Sequence, residues 1–134
     1  MTSLRRDVLE LRSAADVVQA RHVSRRWAVE FGFTLVEQTK IVTAVSELAR
    51  NTVEYGKGGT MTMEVLAENA RTGLRLTFED RGPGIADVDR AMQDGFTSGG
   101  GLGLGLGGAK RLMSEFEIRS TPGQGTTIVV TRWR

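Results

Sequence analysis

Three stretches of this sequence place apolar residues at every second position, the pattern of strands that bury one face. Met61, Met63 and Val65 form the first, Leu74, Leu76 and Phe78 follow after the turn-forming "ENARTG", and "TTIVVTRW" at residues 126–133 has the same character. Strands joined by short turns pair antiparallel, and their apolar face must be covered by another layer. We therefore expect a mostly antiparallel sheet, to which "DVLELRS" at residues 7–13 contributes a short first strand.

Helical spacing elsewhere supplies the covering layer. A first helix is predicted over residues 13–33, with Ser13 or Asp16 near its start and Gly32 ending it, and a second from the N-cap Thr34 to about Tyr55, where "YGKGG" breaks the pattern. A third helix is expected to begin at the glycine run and continue through "GAKRLMSEFEI"; its apolar positions are Leu106, Leu112, Met113 and Phe116. The predicted fold class is α+β, a two-layer α/β sandwich with one domain over residues 1–134.

Composition removes several classes of function. The chain has no cysteine and a single histidine, His22, so a bound metal must be held by oxygen or amide ligands. The net charge of +2 does not indicate a nucleic-acid partner. No apolar run approaches the roughly 20 residues of a membrane helix, and the N-terminal residues lack the apolar stretch of a signal peptide. We expect a cytoplasmic protein without a membrane partner.

Glu47 and Asn51 lie four residues apart on the second predicted helix and therefore project from one face. A carboxylate and an amide in this arrangement can accept a proton and hold a hard cation such as Mg²⁺, which prefers oxygen ligands. The alternative is a solvated helix face on which Glu47, Arg50 and Glu54 pair with one another. Spacing alone leaves both interpretations open.

The glycine run at residues 99–108 alternates with Leu102, Leu104 and Leu106, which is unusual for a flexible linker. A glycine-rich loop that leads into a helix presents backbone N–H groups and the positive end of the helix dipole, which suit a polyphosphate. The run lacks the Lys-Ser/Thr ending of a Walker P-loop and does not follow a predicted strand as a dinucleotide fingerprint would. Two interpretations of the run stay open: a phosphate-binding loop of another type, and a flexible linker.

Four motifs in order carry a family resemblance: "SELARNTVEYG", "EDRGPGI", "GGGLGLGLGGAKRLM" and "GQGTT". They resemble the N, G1, G2 and terminal Gly-Thr boxes of the GHKL superfamily. The whole chain is most similar to the RsbT-like group of small stressosome serine/threonine kinases, which belong to the anti-sigma-factor-type kinases. The resemblance implies the Bergerat (histidine-kinase-like) ATPase fold, with ATP and Mg²⁺ as ligands.

The resemblance also implies roles for individual residues. Asp80 would accept a hydrogen bond from the adenine amine, and Gly82 and Gly84 would let the backbone pass close to the purine. Asn51 would hold Mg²⁺, and Glu47 would be the catalytic base. The remaining positions are the phosphate-wrapping glycines and a support for the Asp80 end of the pocket: Gly101, Gly103, Gly105 and Thr126. Without ligand the glycine loop is expected to be mobile, and the short segment between Ile85 and Gly99 predicts modest nucleotide affinity.

Two functions follow from the resemblance. The first is a kinase that phosphorylates STAS-domain proteins, both substrate and scaffold, and then activates a downstream regulator such as a PPM-type phosphatase. The second is a nucleotide-dependent anti-sigma factor that acts by sequestering a partner. The same fold and nucleotide site serve both, so the fold does not decide between them. The presence of Glu47 favours the kinase.

Overall fold

The computed structural model describes residues 1–93 and 105–134. Its elements in chain order are β1 (Thr2–Leu11), α1 (Ala14–Glu30), α2 (Leu35–Glu54), β2 (Gly59–Glu68), β3 (Arg71–Asp80), α3 (Val88–Ala91), α4 (Gly105–Leu112), β4 (Glu115–Thr121) and β5 (Gly125–Trp133). Within these residues the strands form one sheet in the order β1-β2-β3-β5-β4, with every neighbouring pair antiparallel. Together with the helical layer, this confirms the predicted two-layer α+β fold.

Local signals account for the two long helices. The Asp16 carboxylate accepts a hydrogen bond of 3.2 Å from the backbone N–H of Ser13, which precedes α1. Gly32 has a φ of 82°, a left-handed conformation that glycine adopts without strain, and α1 ends just before it. Thr34 and Glu37 form a capping box at the start of α2, each side chain bonding the other residue's backbone N–H.

The core lies between the helices and one face of the sheet. The residues that fill it are apolar side chains with almost no exposure, among them Leu11, Trp27, Ile41, Leu48, Met61, Met63, Leu76, Phe78, Leu106 and Val130. Alternation in β2, β3 and β5 directs one row of side chains to this core, as the sequence predicted. In the part of the chain that the structure covers, no helix is long and apolar enough to cross a membrane.

Strand β1 is held to α1 by Arg5. Its guanidinium forms an ion pair with Glu30 and lies 5.0 Å from the ring centroid of Trp27 and 5.3 Å from that of Phe31. Cation–π contacts of this kind add to the ion pair, so the edge strand is joined to the helical layer by both charge and aromatic packing.

Two predictions about elements are corrected. The predicted third helix was wrong beyond Leu112, because α4 ends there and Phe116 belongs to strand β4, where it faces Val130 of β5. The predicted first strand, residues 7–13, was wrong at both ends. Strand β1 begins at Thr2, since pairing with β2 carries it across polar residues, and it ends at Leu11, before the cap residue Ser13 of α1. The short helix α3 was not predicted.

Candidate functional site

A cleft of about 320 Å³ opens between α2 and the ends of β3 and β5. The loop after β3, helix α3 and the start of α4 complete its walls. Its apolar lining includes Phe78, Ile85, Ala91, Leu106 and Ile128. A volume in the range of small-molecule sites, with apolar walls and a few polar groups, is the usual form of a ligand site.

Helix α2 supplies Glu47 and Asn51, and both line the cleft. The Glu47 side chain is 3% exposed and forms an ion pair with Arg50, whose Nη2 donates to Oε2. The predicted pairing of Glu47 and Arg50 therefore exists, but Glu47 is buried against the cleft rather than on a solvated face. Within the described residues no cluster of three or more acidic or histidine side chains could hold a metal ion.

Asp80 ends β3 and lines the same cleft. Its Oδ1 accepts a hydrogen bond of 2.9 Å from the backbone N–H of Gly82, which holds the turn that follows. In the described part of the chain the structure records no hydrogen bond to Oδ2, so one carboxylate oxygen remains as an acceptor. Thr126 lies opposite Asp80 in the antiparallel register, and its side chain also lines the cleft.

Ser120 of β4 fixes this end of the cleft. Its Oγ accepts a hydrogen bond of 2.7 Å from the backbone N–H of Ile85, lies 2.8 Å from Oγ1 of Thr126, and donates to the carbonyl of Gly125 at 3.2 Å. One hydroxyl thus ties the loop after β3 to strand β5. Ser120 was not found from the sequence, because most of the strand that carries it was predicted as helix, up to Ile118.

Glycines allow close backbone approach around Asp80. A Cβ atom at Gly84, where φ is 75°, would lie 2.3 Å from the carbonyl oxygen of Thr121. A Cβ atom at Gly82 would lie 2.7 Å from Cα of Gly56, and Gly82 does not line the cleft in the described structure. Gly84 is therefore the glycine of "RGPGI" at the cleft wall, while Gly82 packs against Gly56, two residues after the end of α2.

Gly105 begins α4 with a φ of 64° and lines the cleft beside Leu106. The first turn of an α-helix has backbone N–H groups without intrahelical partners, and these favour anionic ligands. Gly101 and Gly103, and with them the prediction of a mobile glycine loop, lie outside the described residues.

Four further polar residues line the cleft and were not identified as site residues from the sequence: Thr52, Tyr55, Asp87 and Arg90. Tyr55, directly after α2, is 38% exposed, and Arg90 of α3 adds a guanidinium. Tyr55 falls within the quoted motif "SELARNTVEYG", where it was given no role, and Arg90 lies outside the four motifs.

The residues present fit a nucleotide. Asp80 offers an acceptor for an amine, beside apolar walls that suit a purine. For phosphates, Asn51 offers an amide, Arg90 a cation, and the start of α4 backbone N–H groups. Asn51 would offer Mg²⁺ one amide oxygen, and phosphates and water would complete the shell of this cation, which prefers oxygen ligands.

Known proteins resemble this chain over most of its length. A family model described as a histidine kinase-like ATPase domain matches residues 11–132. The chain is 48% identical over 118 residues to the serine/threonine-protein kinase RsbT of Bacillus subtilis. This alignment covers 88% of this chain and 89% of that protein. It is 34% identical over 122 residues to an anti-sigma F factor of Thermoanaerobacter sp. That alignment covers 85% of this chain and 82% of the relative.

A solved structure also has this fold. The crystal structure of the RsbU and RsbW domains of a Mycobacterium tuberculosis protein matches with a TM-score of 0.63 at 24% sequence identity. The match covers 96% of this chain and 33% of that chain. At this identity the likeness establishes the shared architecture only.

Proposed function

The chain belongs to the histidine kinase-like ATPase domain family, and on that premise we propose that it is a serine/threonine protein kinase that phosphorylates a STAS-domain partner with Mg-ATP. The observation that carries the proposal is the meeting of Glu47, Asn51 and Asp80 in one cleft. A protein that is 48% identical to this chain over 118 residues and bears the name of a serine/threonine-protein kinase supports it further.

In the proposed reaction Asp80 accepts a hydrogen bond from the adenine amine through Oδ2, and the apolar walls exclude water around the purine. The start of α4 and Arg90 bind phosphate oxygens. Asn51 is the side chain that would hold Mg²⁺, which supplies charge neutralisation at the phosphates when it is bound. These groups fix the nucleotide, and positioning with electrostatic stabilisation provides most of the catalysis of phosphoryl transfer.

Glu47 acts at the acceptor. The serine or threonine hydroxyl transfers its proton to the Glu47 carboxylate as its oxygen bonds to the γ-phosphorus, and the bond from that phosphorus to the β–γ bridging oxygen breaks. The products are the phosphorylated partner and ADP. We place the reaction in the cytoplasm, and we propose that the kinase then binds and activates a regulator such as a PPM-type phosphatase.

The test pairs nucleotide affinity with phosphoserine or phosphothreonine formation on the cognate STAS protein. Glu47→Ala should leave nucleotide affinity near the wild-type value and lower transfer by roughly 10²-fold, the usual contribution of a general base. Asn51→Ala should weaken both. Glu54→Ala is the matched control, because Glu54 is an exposed acid on the same helix that does not line the cleft. Wild-type transfer by Glu47→Ala would show that the base is misassigned.

The second candidate is an anti-sigma factor that sequesters a protein in a nucleotide-dependent way. The relative named anti-sigma F factor, at 34% identity, favours it. The same experiment separates the two, because tight partner binding by the wild type without any phosphorylation would replace the kinase with the sequestration function.

A further inference from the structure

Glu47 is the charged side chain that the described structure buries most completely. At 3% exposure it is the one charged residue in the buried set, whereas its partner Arg50 is 22% exposed. The two lie three residues apart on α2, which places them on the same helix face. Exposed pairs of this spacing contribute little, but a buried carboxylate needs a partner, because leaving it unpaired is costly.

The pair is one-sided. Nη2 of Arg50 donates to Oε2 of Glu47, and the structure records no hydrogen bond to Oε1 from the residues it describes. Arg50 does not line the cleft, whereas Glu47 does. The guanidinium therefore holds one carboxylate oxygen from behind the cleft wall and leaves the other available.

On the basis of the proposed function, we infer that Arg50 is a positioning residue for phosphoryl transfer. It fixes the rotamer of Glu47 through Oε2, so that Oε1 receives the proton of the acceptor hydroxyl. Arg50 acts through Glu47 and does not contact the nucleotide. Its loss therefore lowers the turnover number and leaves nucleotide binding unchanged.

A double-mutant cycle tests this inference. Arg50→Met and Arg50→Lys are made in the wild type and in Glu47→Gln, and kcat and KM for phosphorylation of the STAS protein are measured beside nucleotide affinity. In the wild type, Arg50→Met should lower kcat roughly tenfold, below the hundredfold that a 1 Å misplacement can cost. Arg50→Lys should restore much of the loss, because an ammonium can also donate to Oε2.

In the Glu47→Gln background Arg50→Met should cause no further loss, since there is no carboxylate left to position. Arg6→Met is the control: Arg6 is exposed and alternates with Arg5, which faces the helices, so it lies on the other face of the sheet. It should leave every parameter unchanged. If Arg50→Met does not fold, as judged by circular dichroism, Arg50→Gln takes its place.

Two results would overturn the inference. Arg50→Met could transfer phosphate at the wild-type rate, or it could lose the same factor in both backgrounds, which is the behaviour of a purely structural residue. Normal transfer by Glu47→Gln alone would also overturn it, because it would remove the base and with it the role of Arg50. Failure of the proposed function has a different signature: the wild type itself would then form no phosphoserine or phosphothreonine on the STAS protein.

Discussion

A Cβ atom on Gly56 would lie 2.3 Å from the Cβ of Asp80, closer than any real contact. The chain just after α2 therefore touches the residue at the end of β3 directly. Glu47 and Asn51 reach the cleft from α2 and Asp80 from β3, so this contact joins the two elements that carry the two halves of the site.

Gly56→Ala is accordingly expected to push these halves apart. Overpacking of this kind typically costs about 1–3 kcal/mol, and here nucleotide affinity should fall with stability. Thermal unfolding and nucleotide titration measure the two effects. Gly123→Asn is the control, because nothing lies within 4 Å of a Cβ there and asparagine tolerates its φ of 81°. Unchanged affinity in Gly56→Ala would show that the contact does not set the cleft width.

Asp80→Asn tests the adenine contact. The amide keeps an oxygen for the Gly82 N–H but replaces the free Oδ2 acceptor with a donor. The new amide N–H₂ would face the adenine amine, which is also a donor. We expect this to weaken the binding free energy by about 1–3 kcal/mol, or to raise the Kd for ATP about 5- to 150-fold. Titration of labelled nucleotide measures it, with the exposed neighbour Glu79→Gln as the control. Equal affinities of Asp80→Asn and the wild type would remove Asp80 from the adenine site.

Ser120→Ala removes the hydroxyl that joins Ile85, Thr126 and Gly125. A backbone N–H and a side-chain hydroxyl then lose a partner, which should cost about 1–3 kcal/mol of stability. We expect faster hydrogen exchange at the Ile85 amide and weaker nucleotide binding, since Ile85 and Thr126 line the cleft. Thr121→Ala, on the exposed side of the same strand, should change neither. An Ile85 amide that exchanges at the wild-type rate in Ser120→Ala would contradict this.

The Arg5–Glu30 pair predicts a pH dependence of stability. The hydrogen bond from Arg5 holds the pKa of Glu30 below its ordinary value of 4.5. A lowered pKa means that the stabilisation is complete above pH 4.5 and is lost as the pH falls through the lower, folded-state pKa. Glu30→Gln should therefore have a lower Tm than the wild type at pH 7, and the two Tm values should converge in acid.

Melting curves from pH 7 to about pH 3, below the ordinary carboxyl range, check this expectation. Glu54→Gln serves as the control, since Glu54 is an exposed helix acid. A Tm difference between wild type and Glu30→Gln that stays constant with pH would mean that packing, not charge, ties β1 to α1.

The two long helices were predictable because their signals are local. Thr34 with Glu37, and Gly32 with its left-handed φ, act within one helical turn of the residues they influence. The three central strands were predictable for a similar reason: one face of each is buried, which forces the alternation that the sequence shows.

Strand β4 could not be recognised in the same way. It is an edge strand, and its inward side chains Phe116 and Ile118 are only partly buried. The alternating pattern of this strand therefore contains only two apolar positions, too few to predict a strand. The pattern from α4 continues into it through Leu112 and Met113. This segment is a strand because it pairs with β5, and the local helix pattern does not reveal that pairing.

The candidate site shows the same division. Motif order predicted Glu47, Asn51, Asp80, Gly84, Gly105 and Thr126, and the structure brings all of them to one cleft. Ser120 and the one-sided pairing of Arg50 depend on strand register and on a side-chain rotamer. Neither property leaves a pattern in the sequence. The roles of these residues remain predictions for the experiments above.

Tyr55 is the only tyrosine of the chain, and it lies in the cleft wall. Of the two tryptophans, Trp27 is buried beside Arg5 and Trp133 stacks on Arg71 with its centroid 3.9 Å away; neither lines the cleft. In a chain carrying Trp27→Phe and Trp133→Phe, Tyr55 is the only side chain that fluoresces at longer wavelengths than phenylalanine. That fluorescence therefore comes from the cleft wall. The molecule thus contains its own fluorophore for ligand entry, and an attached dye is unnecessary.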